Sequence, residues 1–430
     1  MGLNNCWNNV VLQSLLHLES FRASFVALPP GHVHRDPDDQ AACVRCALTQ
    51  IFAHYEFGEE DVLPPDALRI ALSLVADNQR VHRFVAHEMS DAEEALEEVL
   101  RFLHCDHVGG LPSIGTAQAQ ECSSATSAES RLSKSLDVAC IPECIAHRVF
   151  GMQLMDQKMC SNSECGANSD PEMSTCFLYR IYMDELRQRR EASSPDASFE
   201  SMLKASYTNQ SYSCPRRQRS YNNNNNNNAC LGPAHSERWL LNQSTVLTLT
   251  CAWSTPEPER EEIVACFALL PEQLHPERFL QVAMAPAVYH LRGMVLFYGR
   301  HYVCVFYAPR ARAFVMLDDR RVTRLGAWSD VIARCCKGKL FPTIIFYESA
   351  IATAESPPNS GKQFVSLPQA PQVNHVFTPN APKTAPVVDP SPPLRRFVLC
   401  VQCGLRADSK WMSKGLCLLC APPPKYKHNQ

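Results

Sequence analysis

Gly2-Leu3-Asn4-Asn5-Cys6-Trp7-Asn8-Asn9-Val10-Val11-Leu12-Gln13 sets one cysteine at the head of an apolar run. After Cys6, Val11, Leu12, Leu15, Leu16, Leu18, Phe21 and Phe25 recur at three-to-four spacing, which predicts an amphipathic helix with Cys6 in its first turn. A cysteine attacks as thiolate, and an ordinary thiol pKa of about 8.5 leaves it protonated at neutral pH, so an electropositive setting is needed. The unpaired N–H groups and dipole of a helix start supply one. An imidazolium partner would supply another.

That partner is sought far downstream. The run YGRHYVCVFY, from Tyr298 to Tyr307, has strand composition, and a period of two puts His301, Val303, Val305 and Tyr307 on one face. The next apolar run, Val315-Met316-Leu317, ends in Asp318-Asp319. A hairpin between the two would bring Asp318 to one ring nitrogen of His301, fixing the tautomer and leaving the other nitrogen for the thiol. Singly, these residues have plainer explanations: a buried small hydrophobe, a satisfied core histidine, a pair of turn aspartates. Jointly they read as a Cys-His-Asp hydrolase.

The wording around them resembles the ubiquitin-specific proteases, the papain-like deubiquitinases. Cys6, Trp7, Asn9, Leu12 and Gln13 fall on the second half of that family's cysteine box, and Gly299, His301, Tyr302, Asp318, Asp319 and Val322 match its histidine box. The segments CVRCALTQIFAHY, VLPPDALRIAL, MSDAEEALEEVL, CIAHRVFGMQL and CGANSDPE are similar to the branch of inactive ubiquitin carboxyl-terminal hydrolases 53 and 54. The likeness runs from residue 2 to about residue 347.

The resemblance implies an α+β fold with a helical thumb and an antiparallel β palm and fingers. It implies Cys6 as nucleophile, His301 as general base and then acid, Asp318 as the group orienting His301, and Asp319 as a neighbour that polarises water or helps orient the ring. The implied partners are ubiquitin or polyubiquitin and ubiquitinated proteins, with ubiquitin between fingers and palm and its tail in a narrow cleft. No cofactor is called for in catalysis. The chain also departs from the pattern. The family's oxyanion-holding Asn, five positions before the cysteine, is replaced by Met1, so Asn4 or Asn5 would serve only on a rebuilt loop. Losing one such donor costs roughly a hundred- to a thousandfold in rate. Asn8 stands where the family has Leu, and a chain starting so close to its nucleophile reads as truncated. The alternative, of another class, is a ubiquitin-binding adaptor that no longer turns over.

With 430 residues and 45% apolar content, the chain can form one large core or two domains. A net charge of −3 gives no case for nucleic acid or anionic membrane. No apolar run reaches the roughly 18 residues needed to span a bilayer, and no secretory leader is evident, so a soluble, intracellular, cytoplasmic protein with reduced thiols is expected. The catalytic body is expected at 1–350, with unstructured surface inserts near 111–139 and 188–236 (the latter holding the run Asn222 to Asn228), then a Pro-rich linker at 351–394. The first hundred residues read as helical, with helices from Asp66 to Val75 and Ser90 to Leu103, the second opened by a Ser90/Glu93 capping box. From Glu237 strands dominate, EIVACFALL among them.

Structural zinc is the one cofactor expected. In the tail, at 395–424, Cys400-x2-Cys403 and Cys417-x2-Cys420 have the spacing to wrap one tetrahedral ion, and so short a segment needs metal to fold. A second set is Cys144-x2-His147 with Cys160-x4-Cys165, for which His104, Cys105 and His107 are substitutes. Cys43-x2-Cys46 sits in a helical pattern and reads as core packing.

Overall fold

The computed structural model describes residues 4–28, 34, 40–57, 65–78, 83–85, 87–107, 140, 143–193, 197–208, 211–216 and 230–349, together with the backbone of 397–399 and 406–408. The insert at 111–139, the linker at 351–394 and the four tail cysteines Cys400, Cys403, Cys417 and Cys420 lie outside the described residues.

Helices come first: α1 (Cys6–His17), α2 (Glu19–Val26), α3 (Val44–Phe57), α4 (Asp66–Asn78), α5 (Ala92–His107) and α6 (Ile145–Phe150). The apolar run after Cys6 makes two helices rather than one. Leu18 is extended (φ −78, ψ 101), its N–H closes α1 on the Ser14 carbonyl, and α2 restarts at Glu19. The break re-aims Phe21 and Phe25 into the same core as Leu15 and Leu16. At α5 the cap is Asp91, whose Oδ1 accepts from the Glu93 N–H at 2.7 Å, not Ser90.

A five-stranded sheet follows the order β2 (Glu172–Cys176), β1 (Met152–Cys160), β5 (Pro233–Leu240), β4 (Tyr212–Ser213), with β8 (Gln281–Val282) beside β5. The larger, eight-stranded sheet runs β12 (Arg321–Gly326), β11 (Ala313–Asp318), β10 (His301–Ala308), β9 (Tyr289–Tyr298), β13 (Phe341–Ser349), β6 (Val246–Ala252), β3 (Tyr179–Tyr182), with β7 (Gln273–Leu274) beside β9. Pairing is antiparallel except β3 with β6 and β5 with β8. The α+β class expected from sequence is therefore the one observed.

Strands β9, β10 and β13 are buried on both faces, which is why they read as near-continuous apolar runs. On one face Val295, Cys304, Phe306, Ile344 and Phe346 join the core built by α1 to α6. On the other, Met294, Leu296, Val303, Val305, Ile345 and Tyr347 join a second core. That second core also holds α7 (Met183–Ala192), α8 (Phe199–Thr208), α9 (Arg260–Leu269) and α10 (Trp328–Gly338) through residues such as Leu186, Met202, Ile263 and Val331.

Two expectations are corrected here. EIVACFALL belongs to helix α9: Ile263, Cys266, Phe267 and Leu270 are buried at helical spacing, and Glu259 with Glu262 forms the capping box. The stretch 188–236 is not wholly an unstructured insert, since α8 lies within it and buries Phe199, Met202, Leu203 and Tyr207. Its polar average hid four apolar anchors at helical spacing.

Candidate active site

Cys6 is the first residue of α1 and is 6% exposed. The first intrahelical bond runs from the Asn9 N–H to the Asn5 carbonyl at 2.9 Å, so the N–H groups of Cys6, Trp7 and Asn8 have no intrahelical acceptor. The helix is held by its apolar side, with Trp7, Val10, Val11, Leu15 and Leu16 buried. It lies against β10 and β9, the strands of the histidine hairpin.

The hairpin geometry is local. Tyr298 pairs with His301, leaving the two-residue turn Gly299-Arg300, both at positive φ (48° and 67°), as the tightest hairpin connection requires. His301 thus opens β10. Asp318 closes β11 and pairs with Arg321 across a second two-residue turn, in which Asp319 has φ 48°. The Asp318 Oδ1 lies 2.8 Å from His301 Nε2. Ligand atoms of His301, Asp318 and Asp319 all fall within 4.8 Å of one another. With Nε2 taken by the carboxylate, Nδ1 is the nitrogen left for the thiol.

Cys6 lies close enough to His301 to act on its ring. The His301 pKa is raised from 6.5 to about 9, chiefly by its interaction with Cys6, against burial, with Asp318 as a further cause. Because this pKa is raised, the charged ring supports the folded state fully below pH 6.5, and that contribution is lost as pH rises through about 9. A reaction that uses the imidazolium should show an alkaline limb near pH 9, and Asp318→Asn should move the limb downward. A pH–rate profile checks both.

Several contacts around the thiol could not be read from sequence. Asn9 Nδ2 donates to Asp319 Oδ1 at 2.6 Å, tying α1 to the aspartate turn across 310 residues. The Cys6 Sγ faces the Met89 Sδ at 3.8 Å. Arg69, 5% exposed on α4, donates to the Asn5 side-chain carbonyl and, at 2.6 Å, to the Val85 carbonyl, and its Cζ sits 5.9 Å from the Trp7 ring centroid. One guanidinium therefore fastens the turn before the nucleophile to the segment that brings Met89 over it. Arg69→Met removes two charge-assisted hydrogen bonds. It should slow alkylation of Cys6 by iodoacetamide by about 10- to 100-fold, and Arg69→Lys, lacking the fork, should restore little of it.

Asn4 and Asn5, which would serve as oxyanion donors only on a rebuilt loop, have their amides engaged elsewhere. Asn4 Nδ2 donates to the His87 carbonyl at 2.8 Å and Asn5 Nδ2 to Asp66 Oδ1 at 3.3 Å. Asn8, polar where an apolar residue was expected, is fully buried and donates to the Pro65 carbonyl at 2.8 Å.

The metal candidates regroup. Cys144 and His147 do not join Cys160 and Cys165, because β1 is a nine-residue strand that carries Cys160 roughly 26 Å from its start. Instead Cys144 and His147 meet His104 and Cys140, all four buried. Cys140 Sγ lies 3.1 Å from His104 Nδ1 and 3.4 Å from His147 Nδ1, and Cys144 Sγ lies 3.7 and 3.3 Å from the same two atoms. A tetrahedral zinc with bonds of about 2.3 Å to sulfur and 2.0 Å to nitrogen sets such pairs about 3.5 Å apart. Cys160 and Cys165 meet Cys214 and Cys230, with Sγ···Sγ separations of 3.8 Å (Cys160 to Cys230) and 3.6 Å (Cys165 to Cys214). Those are far too long for disulfides and close to the edge of a four-thiolate zinc tetrahedron. Both donor sets fit the ion. Cys43 is buried in the core as expected, yet it also groups with Cys46 and His34, whose Nε2 is 3.2 Å from Cys46 Sγ.

The site therefore gathers a thiol at a helix start, and an imidazole with a carboxylate 2.8 Å behind it, on helices packed against a largely antiparallel sheet. The profile of the ubiquitin carboxyl-terminal hydrolase family matches residues 1–347, and the chain belongs to that family. It is 28% identical over 370 residues to ubiquitin carboxyl-terminal hydrolase 54 of Rattus norvegicus, covering 83% of this chain and 20% of that protein. It is 27% identical over 378 residues to ubiquitin carboxyl-terminal hydrolase 53 of Homo sapiens, covering 85% and 31%. The chain thus spans less than a third of the length of either relative.

Two solved structures of the SAGA Ubp8/Sgf11/Sus1/Sgf73 DUB module share the fold. One has TM-score 0.51 and 15% identity, covering 81% of this chain and 68% of that one. The other, bound to monoubiquitin, has TM-score 0.50 and 16% identity, covering 80% and 67%. Among the described residues no helix is long and apolar enough to cross a membrane.

Proposed function

We propose that this chain is a cysteine-dependent deubiquitinase that cleaves isopeptide bonds at the C-terminal glycine of ubiquitin. The observation that carries the reading is the Asp318 carboxylate 2.8 Å from His301 Nε2, with Cys6 at the start of α1 near enough to raise the ring's pKa. The Cys6 thiolate attacks the glycine carbonyl, His301 protonates the departing lysine amine, and water, deprotonated by His301, hydrolyses the thioester. The first-turn N–H groups of α1 are the donors available to the oxyanion. The ubiquitin-bound neighbour of the same fold supports ubiquitin as the partner.

One observation favours the second reading, a ubiquitin-binding adaptor with impaired turnover: the Asn4 and Asn5 amides are committed to His87 and Asp66. Incubation with ubiquitin bearing a C-terminal electrophile separates the two. A hydrolase gains one ubiquitin in mass and loses this in Cys6→Ala. An adaptor binds ubiquitin without the adduct.

Structural zinc belongs to the same proposal, held by His104, Cys140, Cys144 and His147 and by Cys160, Cys165, Cys214 and Cys230, with Cys400, Cys403, Cys417 and Cys420 as a further site in the tail. Burial pushes the Cys144 thiol up to about 12, and a cation there would hold it as thiolate. His104 and Cys140 are 36 residues apart, so the ion would also fasten both ends of the segment between them. Deleting residues 395–430 should lower the zinc content by one ion per chain, and an unchanged ratio would exclude the tail site.

A further inference from the structure

Residues 300 to 339 hold nine lysines and arginines against three aspartates and no glutamate, in a chain whose net charge is −3. The excess is on the surface. Arg310 and Arg312 in the β10–β11 turn, Arg320 beside the aspartate turn, and Arg321 and Arg324 on β12 are all exposed. None of the five forms an ion pair among the described residues. The Arg324 guanidinium donates to the Ala311 carbonyl at 3.2 Å, which draws it toward the Arg310–Arg312 turn without neutralising it.

These arginines frame an open sheet edge. β12 is the last strand of the large sheet and pairs only with β11, from Arg321 opposite Asp318 to Gly326 opposite Phe314. Its other side makes no main-chain hydrogen bond among the described residues. Val322, 56% exposed, stands between Arg321 and Arg324. Bare edges invite a further strand, and charge is what selects it. A second copy of β12 would set arginine against arginine, which disfavours self-pairing. An acidic extended segment would gain the backbone ladder and place carboxylates beside Arg321 on one face of the sheet and beside Arg324 on the other. A nucleic acid would meet the charge and waste the ladder.

We infer that β12 and its flanking arginines dock an acidic, extended segment of the protein that carries ubiquitin. The position suits this, because β12 leaves the Asp318-Asp319 turn directly and leads away from the site. The binding rests on the edge alone; only the substrate assignment rests on the hydrolase reading.

The test uses a fluorescein-labelled peptide of repeating glutamate-glutamate-valine, which presents carboxylates on both faces of an extended strand, its lysine-lysine-valine counterpart and a single-stranded RNA of equal charge, read by fluorescence anisotropy on the full chain. The acidic peptide should bind, weaken as salt is raised, and lose at least about tenfold in affinity in Arg310→Glu/Arg324→Glu. A melting curve confirms that the variant is folded. In the same variant, kcat/KM should fall for ubiquitin joined to the acidic peptide and stay unchanged for ubiquitin joined to a small fluorophore. Equal binding of the lysine peptide, displacement by RNA at equal charge, or unchanged affinity in the variant would overturn the proposal. If neither ubiquitin conjugate is cleaved while the acidic peptide still binds as stated, the hydrolase reading fails and the docking edge stands.

Discussion

His301→Ala should reduce hydrolysis of a ubiquitin C-terminal amide by four or more orders of magnitude, and Cys6→Ala by on the order of 10⁶-fold. The double variant should be no slower than Cys6→Ala alone, because in the proposed mechanism the two residues act on one proton and one bond. Asp318→Asn should cost less, since the thiol and ring remain and only the ring's orientation and charge lose support. Single-turnover rates on the same substrate check the series. Additive losses in the double variant would mean that Cys6 and His301 work independently, which their coupling argues against.

Loss of a buried metal ligand should have the largest effect on stability. His104→Ala or Cys144→Ser leaves three donors buried where four fit a tetrahedron, and each should release one zinc per chain. A structural zinc contributes on the order of 10 kcal/mol to the fold it closes, so these variants should unfold at the growth temperature or melt far below the parent. The exposed rim is the control. Lys339→Ala, which breaks only the 3.6 Å surface pair with Glu259, should shift stability by less than about 1 kcal/mol. Zinc content by mass spectrometry, read beside the melting temperature, distinguishes a lost ion from a simple packing defect.

The parts of the site that sequence made legible are the parts that local rules build. Cys6 sits at a helix start because an apolar stripe begins just after it, and His301 and Asp318 are aligned by hairpins whose turns are two residues long. Contacts that depend on the whole chain were not legible. Asn9 meets Asp319 across 310 residues and Arg69 meets Asn5 across 64, and neither separation leaves a mark in spacing.

The metal groups show the same limit. Pairing by proximity in sequence joined Cys144 to Cys160. The fold instead sends β1 between them and closes each set with cysteines 36 to 70 residues away from their partners. At the level of elements, EIVACFALL was ambiguous because a short apolar run fits a buried strand or a buried helix equally, and only its capping glutamates decide.

The proposed interaction between the Cys6 sulfur and the His301 ring is tested most directly by following the His301 ring resonances with pH in the wild type and in Cys6→Ala. The wild-type midpoint is expected at about 9 and should drop toward 6.5 when the sulfur is removed. A midpoint near 6.5 that does not respond to loss of Cys6 would contradict it.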